Sequence, residues 1–193
     1  NQVNGTTVND TISVVMGGTV SLQGGDTNAY AQIGHGGLNS AGNNGSLERS
    51  GNITVEAQGA DLNGDSITLT GGNGNNAYAQ IGLGGRNANS AYTGNVDVDA
   101  AGDIEIVSGS GVRSYARIGH GGSDAAGDHG GGVTVTSTAG ELTLSSLSGG
   151  VDAHTQIGHG GFRARGSHTG AIAVETPGDI SLAGGANGRT YAR

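Results

Sequence analysis

The stretch Ala29-Tyr30-Ala31-Gln32-Ile33-Gly34-His35-Gly36-Gly37 decides the fold, because the chain repeats it. It returns as Ala77 to Gly85 with Leu83 in the histidine place, as Ser114 to Gly122, and as Ala153 to Gly161. The isoleucines of these copies stand at 33, 81, 118 and 157, and a fifth copy opens at Thr190-Tyr191-Ala192-Arg193. Self-similarity at such a period marks an architecture stacked from one supersecondary unit.

Two shorter patterns lie between the copies, each alternating apolar and polar residues as a half-buried strand does. Pattern a is Ile12-Ser13-Val14, Ile53-Thr54-Val55, Val96-Asp97-Val98, Val133-Thr134-Val135 and Ile172-Ala173-Val174. Pattern b is Val20-Ser21-Leu22, Ile67-Thr68-Leu69, Ile104-Glu105-Ile106, Leu142-Thr143-Leu144 and Ile180-Ser181-Leu182. With the Ile-Gly-His-Gly-Gly phrase as pattern c, the order a, b, c never changes. A unit of about 37 to 48 residues with so few small apolar side chains cannot close a core alone, whereas stacked units can.

Composition agrees. The chain has 193 residues, of which 42 are Gly, one is Pro and none is Cys or Trp; aromatics are 3%. The longest stretch without Gly, Thr6 to Met16, is rich in β-branched residues, so substantial helices are not expected. The predicted fold is all-β: a right-handed parallel β-helix (β-solenoid) with three strands per coil and about five coils, a single segment over residues 1–193. Stacking at ~4.8 Å would make a prism roughly 24 Å tall. Because c falls about twenty residues after a, two narrower coils per unit remain an alternative to one wide coil.

The net charge is −8 and the eight basic residues, all Arg, are scattered, which argues against nucleic-acid binding and docking on an anionic membrane. No apolar run approaches the ~20 residues a bilayer needs. Absence of Cys excludes disulfides and thiol chemistry and fits export.

The phrases Gly51-Asn52-Ile53-Thr54-Val55 and Gly178-Asp179-Ile180-Ser181-Leu182 resemble those of large secreted bacterial repeat adhesins related to filamentous haemagglutinin. The resemblance covers most of the chain through composition, period and punctuation. It implies a β-helical stalk, adhesin or filament that is extracellular or at the cell surface. No secretion-domain signature is identifiable.

Candidate chemistry is sparse. His35, His120 and His159 share one repeat position, but Leu83 stands there too, which favours a corner plug over a metal or pH site. His120, Asp124, Asp128 and His129 offer ligands of the kind zinc takes, although the fourth copy has no matching carboxylate. Asp61, Asn63 and Asp65 open like a calcium loop, but Gly72 stands where the closing acid is needed. On pattern c, Tyr30, Tyr78, Tyr115, His154 and Tyr191, followed by Gln32, Gln80, Arg117, Gln156 and Arg193, are expected to face outward as stacked columns that chiefly stabilise the sheet face through ladder contacts, and that also offer a contact ladder for sugars or a neighbouring filament. Asn4, Asn9, Asn44 and Asn52 each begin an Asn-x-Ser/Thr phrase.

The sequence therefore predicts a structural or adhesive segment with no cofactor and no catalysis, since paired carboxylates and Lys are missing. Expected partners are further repeats beyond Arg193 or other subunits end to end, and a glycan or cell-surface ligand. The alternative is a carbohydrate-binding or carbohydrate-cleaving β-helix domain.

Overall fold

The computed structural model describes residues 8–40, 48–147 and 149–193. The first turn runs through β1 (Val8–Asn9), β2 (Ile12–Met16), β3 (Val20–Gln23) and β4 (Ala31–Ile33). The second contains β5 (Arg49–Ser50), β6 (Ile53–Ala57), β7 (Asp65–Thr70) and β8 (Ala79–Ile81). The third contains β9 (Tyr92–Thr93), β10 (Val96–Ala100), β11 (Asp103–Val107) and β12 (Ala116–Ile118). The fourth contains β13 (His129–Gly130), β14 (Val133–Ser137), β15 (Leu142–Ser145) and β16 (Thr155–Ile157). Three further strands, β17 (His168–Thr169), β18 (Ile172–Glu175) and β19 (Ile180–Ala183), follow.

Every strand pairs in parallel with its equivalent one turn away, and no helix is present among the described residues. The result is a parallel β-solenoid of about four turns. Pattern a stacks only on a, b on b and c on c, so each unit is one wide coil rather than two narrow ones.

The registers reproduce the aliphatic columns. Ile12, Ile53, Val96, Val133 and Ile172 are mutual partners up one sheet. Val20, Ile67, Ile104, Leu142 and Ile180 climb the second, and Ile33, Ile81, Ile118 and Ile157 the third. Alternate residues of β6 and β14 are buried while those between are half-buried, as period-two side-chain alternation requires. Each aliphatic group fully removed from water contributes about 1.5–3 kcal/mol, and no single turn encloses enough of them.

The expectation of three strands per coil is corrected: there are four sheets. The fourth joins β1, β5, β9, β13 and β17, each only two residues long. Two residues cannot display an alternating pattern, so no side-chain period marks this side in the sequence. Backbone bonds then carry the ladder into pattern a: the amide of Ile53 donates to Asn95 O (2.8 Å) and that of Val96 to Gly132 O (2.9 Å). Outward asparagines add rungs, with Asn52 Oδ1 accepting from Asn95 N and Asn95 Oδ1 from Gly132 N.

Two corners admit only glycine. Gly82 and Gly119 have φ of +144° and +126°, and a Cβ there would lie 2.0 and 2.2 Å from the carbonyl oxygen of the glycine in the next turn. Gly94 and Gly131 repeat the arrangement where the fourth sheet meets pattern a, with clashes at 2.2 and 1.9 Å. Both left-handed backbone and backbone contact forbid a side chain. Gly119→Ala is expected to cost about 2–5 kcal/mol in urea unfolding. Gly17→Ala, where a Cβ meets nothing within 4 Å, should stay within about 0.5 kcal/mol of the parent. Equal midpoints for the two variants would contradict the close-approach account.

Candidate functional site

Strand c has two buried faces. Ala79, Ile81, Ala116 and Ile118 point into the aliphatic core. Opposite them, Tyr78, Tyr115, His154, Gln80 and Arg117 have no exposure, and Gln156 has 2%. The outward contact ladder is therefore corrected: Tyr30, at 42%, is its one largely exposed ring, and Gln32 and Tyr191 are half-buried. The cause is the Gly-rich turn after each strand, which folds the chain back over that face. At Gly85 and Gly122 a Cβ would sit 2.7 and 2.6 Å from the hydroxyls of Tyr78 and Tyr115.

Inside this compartment the rings stack along the axis. Tyr30 and Tyr78 are 4.8 Å apart, Tyr78 and Tyr115 4.6 Å, Tyr115 and His154 5.2 Å, and His154 and Tyr191 4.8 Å. Burial holds the Tyr78 and Tyr115 hydroxyls well above their ordinary pKa. Each amide of the next column clamps two turns. Gln32 Nε2 donates to Gly82 O (3.1 Å) and Gly84 O (3.2 Å), and Gln80 Nε2 donates to Leu83 O, Gly119 O and Gly121 O. Arg117 replaces Gln in the third turn and donates to the carbonyls of His120, Gly158 and Gly160. Desolvation lowers its pKa to about 10, so it remains a buried cation at neutral pH.

A second polar set faces the core. His120 stacks on His159 and His129 on His168, each at 5.1 Å, with Tyr92 5.5 Å beyond His129. Leu83, in the same position as His120, belongs to the aliphatic core, which fits the corner-plug reading. His35 Nε2 lies 2.7 Å from Asp10 O. Burial lowers the pKa of His120 to about 3 and that of His129 to about 4. Nearby imidazoles and Arg117 push in the same direction. Desolvation likewise brings His154 to about 3.

The sequence-derived metal candidates diverge. His120 and His129 lie inside, Asp124 pairs with Arg113 at 3.6 Å, and the exposed Asp128 accepts the Ser167 amide at 2.8 Å. Asp61 Oδ1 accepts the amides of Asn63 (2.8 Å) and Asp65 (3.1 Å), which makes that segment a side-chain-capped turn. Burial, then Asp61 and Asp103, raise the pKa of Asp65. Among the described residues no three His, Cys, Asp or Glu gather as a metal site. Asn9 and Asn52 are exposed; Asn4 and Asn44 lie outside the described residues.

Two columns escaped the sequence reading. Asn28, Asn76, Arg113, Asp152 and Arg189 share φ near +60°, as do Asn39, Asn87, Asp124 and Arg163. Asn76 Nδ2 donates to Asn28 Oδ1 and Asn87 Nδ2 to Asn39 Oδ1, after which Asp152 pairs with Arg189 and lies 4.0 Å from Arg113. The signal was present in the asparagines two places before Tyr30 and Tyr78, since Asn tolerates the left-handed conformation. Arg163 and Arg189 also hold Phe162 between them, at 5.1 and 5.0 Å from its ring centre.

In comparison with known proteins, the chain matches no family model, and no curated protein or solved structure matches it.

Because His120, His129 and His154 bind protons less readily folded than unfolded, where the pKa is about 6.5, acid favours unfolding. The urea midpoint should hold steady above pH 7 and fall as pH drops from about 6.5 towards 4. Asp65 and Glu105, with raised pKa values, oppose this only near the carboxylate range. His120→Leu, which copies Leu83, should weaken the dependence while leaving the pH 7.5 midpoint nearly unchanged. Identical pH slopes in parent and variant would contradict a titrating interior histidine.

Proposed function

We propose that the chain is a structural and adhesive segment of an extracellular bacterial surface protein or filament, non-catalytic, whose stacked turns supply length and rigidity. The carrying observation is the parallel pairing of each strand with its equivalent in the next turn on four sides. Load along the axis would be shared by backbone ladders, aliphatic columns and the glutamine clamps between turns. The resemblance of the phrases at residues 51–55 and 178–182 to those of filamentous-haemagglutinin-like adhesins is in keeping with this reading, and a right-handed coil is the hand that parallel crossovers favour. At the last turn Ile172, Ile180 and Leu182 are about half exposed (50%, 50% and 51%), a face that suits another turn of the same repeat or a second subunit.

A carbohydrate-binding role draws on one observation, a polar groove of about 330 Å³ lined by Asn87, Asn89, Asp124, Ala126, Arg163 and Arg165. Cleavage is disfavoured there because Asp124, its one carboxylate, is paired with Arg113 and glycoside hydrolysis uses two. Electron microscopy of the native material should reveal continuous rods; discrete globular particles would overturn the scaffold reading. A glycan array with a reducing-sugar assay separates the alternatives: turnover abolished by replacing Asp124 would replace scaffold with enzyme.

A further inference from the structure

The charges are sorted by side. The strands of patterns a and b carry Glu56, Asp65, Asp97, Asp99, Asp103, Glu105 and Glu175 and not one Arg. All eight Arg residues lie in the c strand, the fourth sheet and the connections around them. Arg113 and Arg189 are engaged by Asp124 and Asp152. The exposed Arg163 and Arg165 have no ion pair among the described residues.

On the acidic side lies a groove of about 380 Å³ lined by Glu56, Ala57, Gln58, Asp99, Ala100, Ala101 and Thr138. Ala57 and Ala100, at 1% and 2% exposure, turn their methyl groups inward to the core and leave Glu56 and Asp99 on the outer face. Glu56 and Asp99 are direct partners in adjacent strands, so their carboxylates stand about one strand spacing apart on the rim. Gln58 Nε2 donates to Glu56 Oε1 at 2.9 Å and steadies it. In the turn beside them Val15 and Met16 are 55% and 45% exposed. A planar, forked cation between two carboxylates, with its alkyl stem beside the exposed Val15 and Met16, describes an arginine side chain.

We propose that a second copy of this chain docks laterally, placing Arg163 and Arg165 in the Glu56–Asp99 groove. The occupant is identified by charge complementarity: the same molecule offers unpaired guanidiniums on one side and a carboxylate-rimmed groove on another. Because the two patches lie on different sides of the coil, one contact leaves each molecule with an unused patch, so the contact is heterologous and extends to a third copy. Like charges on neighbouring Glu56 and Asp99 are relieved when guanidinium enters. The inference deepens the scaffold reading but fails separately from it, since single unbundled rods in micrographs would overturn only the lateral contact.

The test is sedimentation of the full chain at low and high ionic strength. At low salt the mean sedimentation coefficient should rise with concentration, and about 0.5 M salt should return it to the monomer value. Arg163→Glu with Arg165→Glu, and separately Glu56→Lys with Asp99→Lys, should each remain monomeric at low salt with unchanged melting. An equimolar mixture of the two variants should associate again through the reversed pair. Three results would overturn the proposal: a parent monomeric at low salt, association surviving either reversal, or folded variants that do not associate when mixed. Binding of polygalacturonate by the monomeric parent, lost in the arginine variant, would assign the guanidiniums to an acidic polysaccharide instead.

Discussion

At two corners of every complete turn, backbone lies directly on backbone. Gly82 beneath Gly119, and Gly94 beside Gly51, approach so closely that a single Cβ would fall within about 2 Å of a carbonyl oxygen. That proximity sets equivalent residues one over another, and the ladders, side-chain stacks and charge columns inherit the same register. Where larger residues stand at the corners, turns could not settle to strand spacing. The high glycine content is thus concentrated in contact chemistry rather than in flexible linkers.

A second consequence is the polar chemistry of the interior. A chain with one Phe, no Trp and few large aliphatics cannot fill four walls with hydrocarbon. It fills the compartment behind strand c with tyrosine stacks and with amides that satisfy the carbonyls released by the Gly turns. Orphaned carbonyls in a dry corner would each cost about 1–3 kcal/mol, so Gln80 and Arg117 act as clamps between turns. Arg117 does this with a full charge and no carboxylate beside it, and the neighbouring histidines are held neutral partly on its account. Burial in this compartment is the first cause of the lowered histidine pKa values, and the neighbouring cation and imidazoles add to it.

Much of the architecture was legible in particular residues. Ile53-Thr54-Val55 over Val96-Asp97-Val98 announced one sheet, and their register is residue for residue. The fourth sheet was hidden because its strands, Arg49-Ser50 and Tyr92-Thr93 among them, are only two residues long and carry no periodic side-chain pattern. Strand c misled for a different reason. Alternation places Tyr78 and Gln80 opposite Ile81, and opposite ordinarily means solvent, but the Gly84-Gly85 turn folds back over them. The scarcity of charge at those positions, with Gln in three of the copies, was the available hint. Asp124 and Asp128 looked like ligands because sequence proximity does not report which side of a corner a carboxylate leaves from.

Register is the quantity on which all of this rests, and an engineered crosslink reads it without ambiguity because the chain contains no cysteine. Thr54 and Asp97 are direct partners in adjacent strands, whereas Thr54 and Asp99 are offset by two residues. Thr54→Cys with Asp97→Cys should oxidise to a single intramolecular disulfide in the folded protein, since in-register strands bring such positions within bonding reach. Thr54→Cys with Asp99→Cys should stay reduced under the same conditions. Crosslinking of the offset pair in preference to the aligned one, or of neither, would contradict turns stacked equivalent upon equivalent.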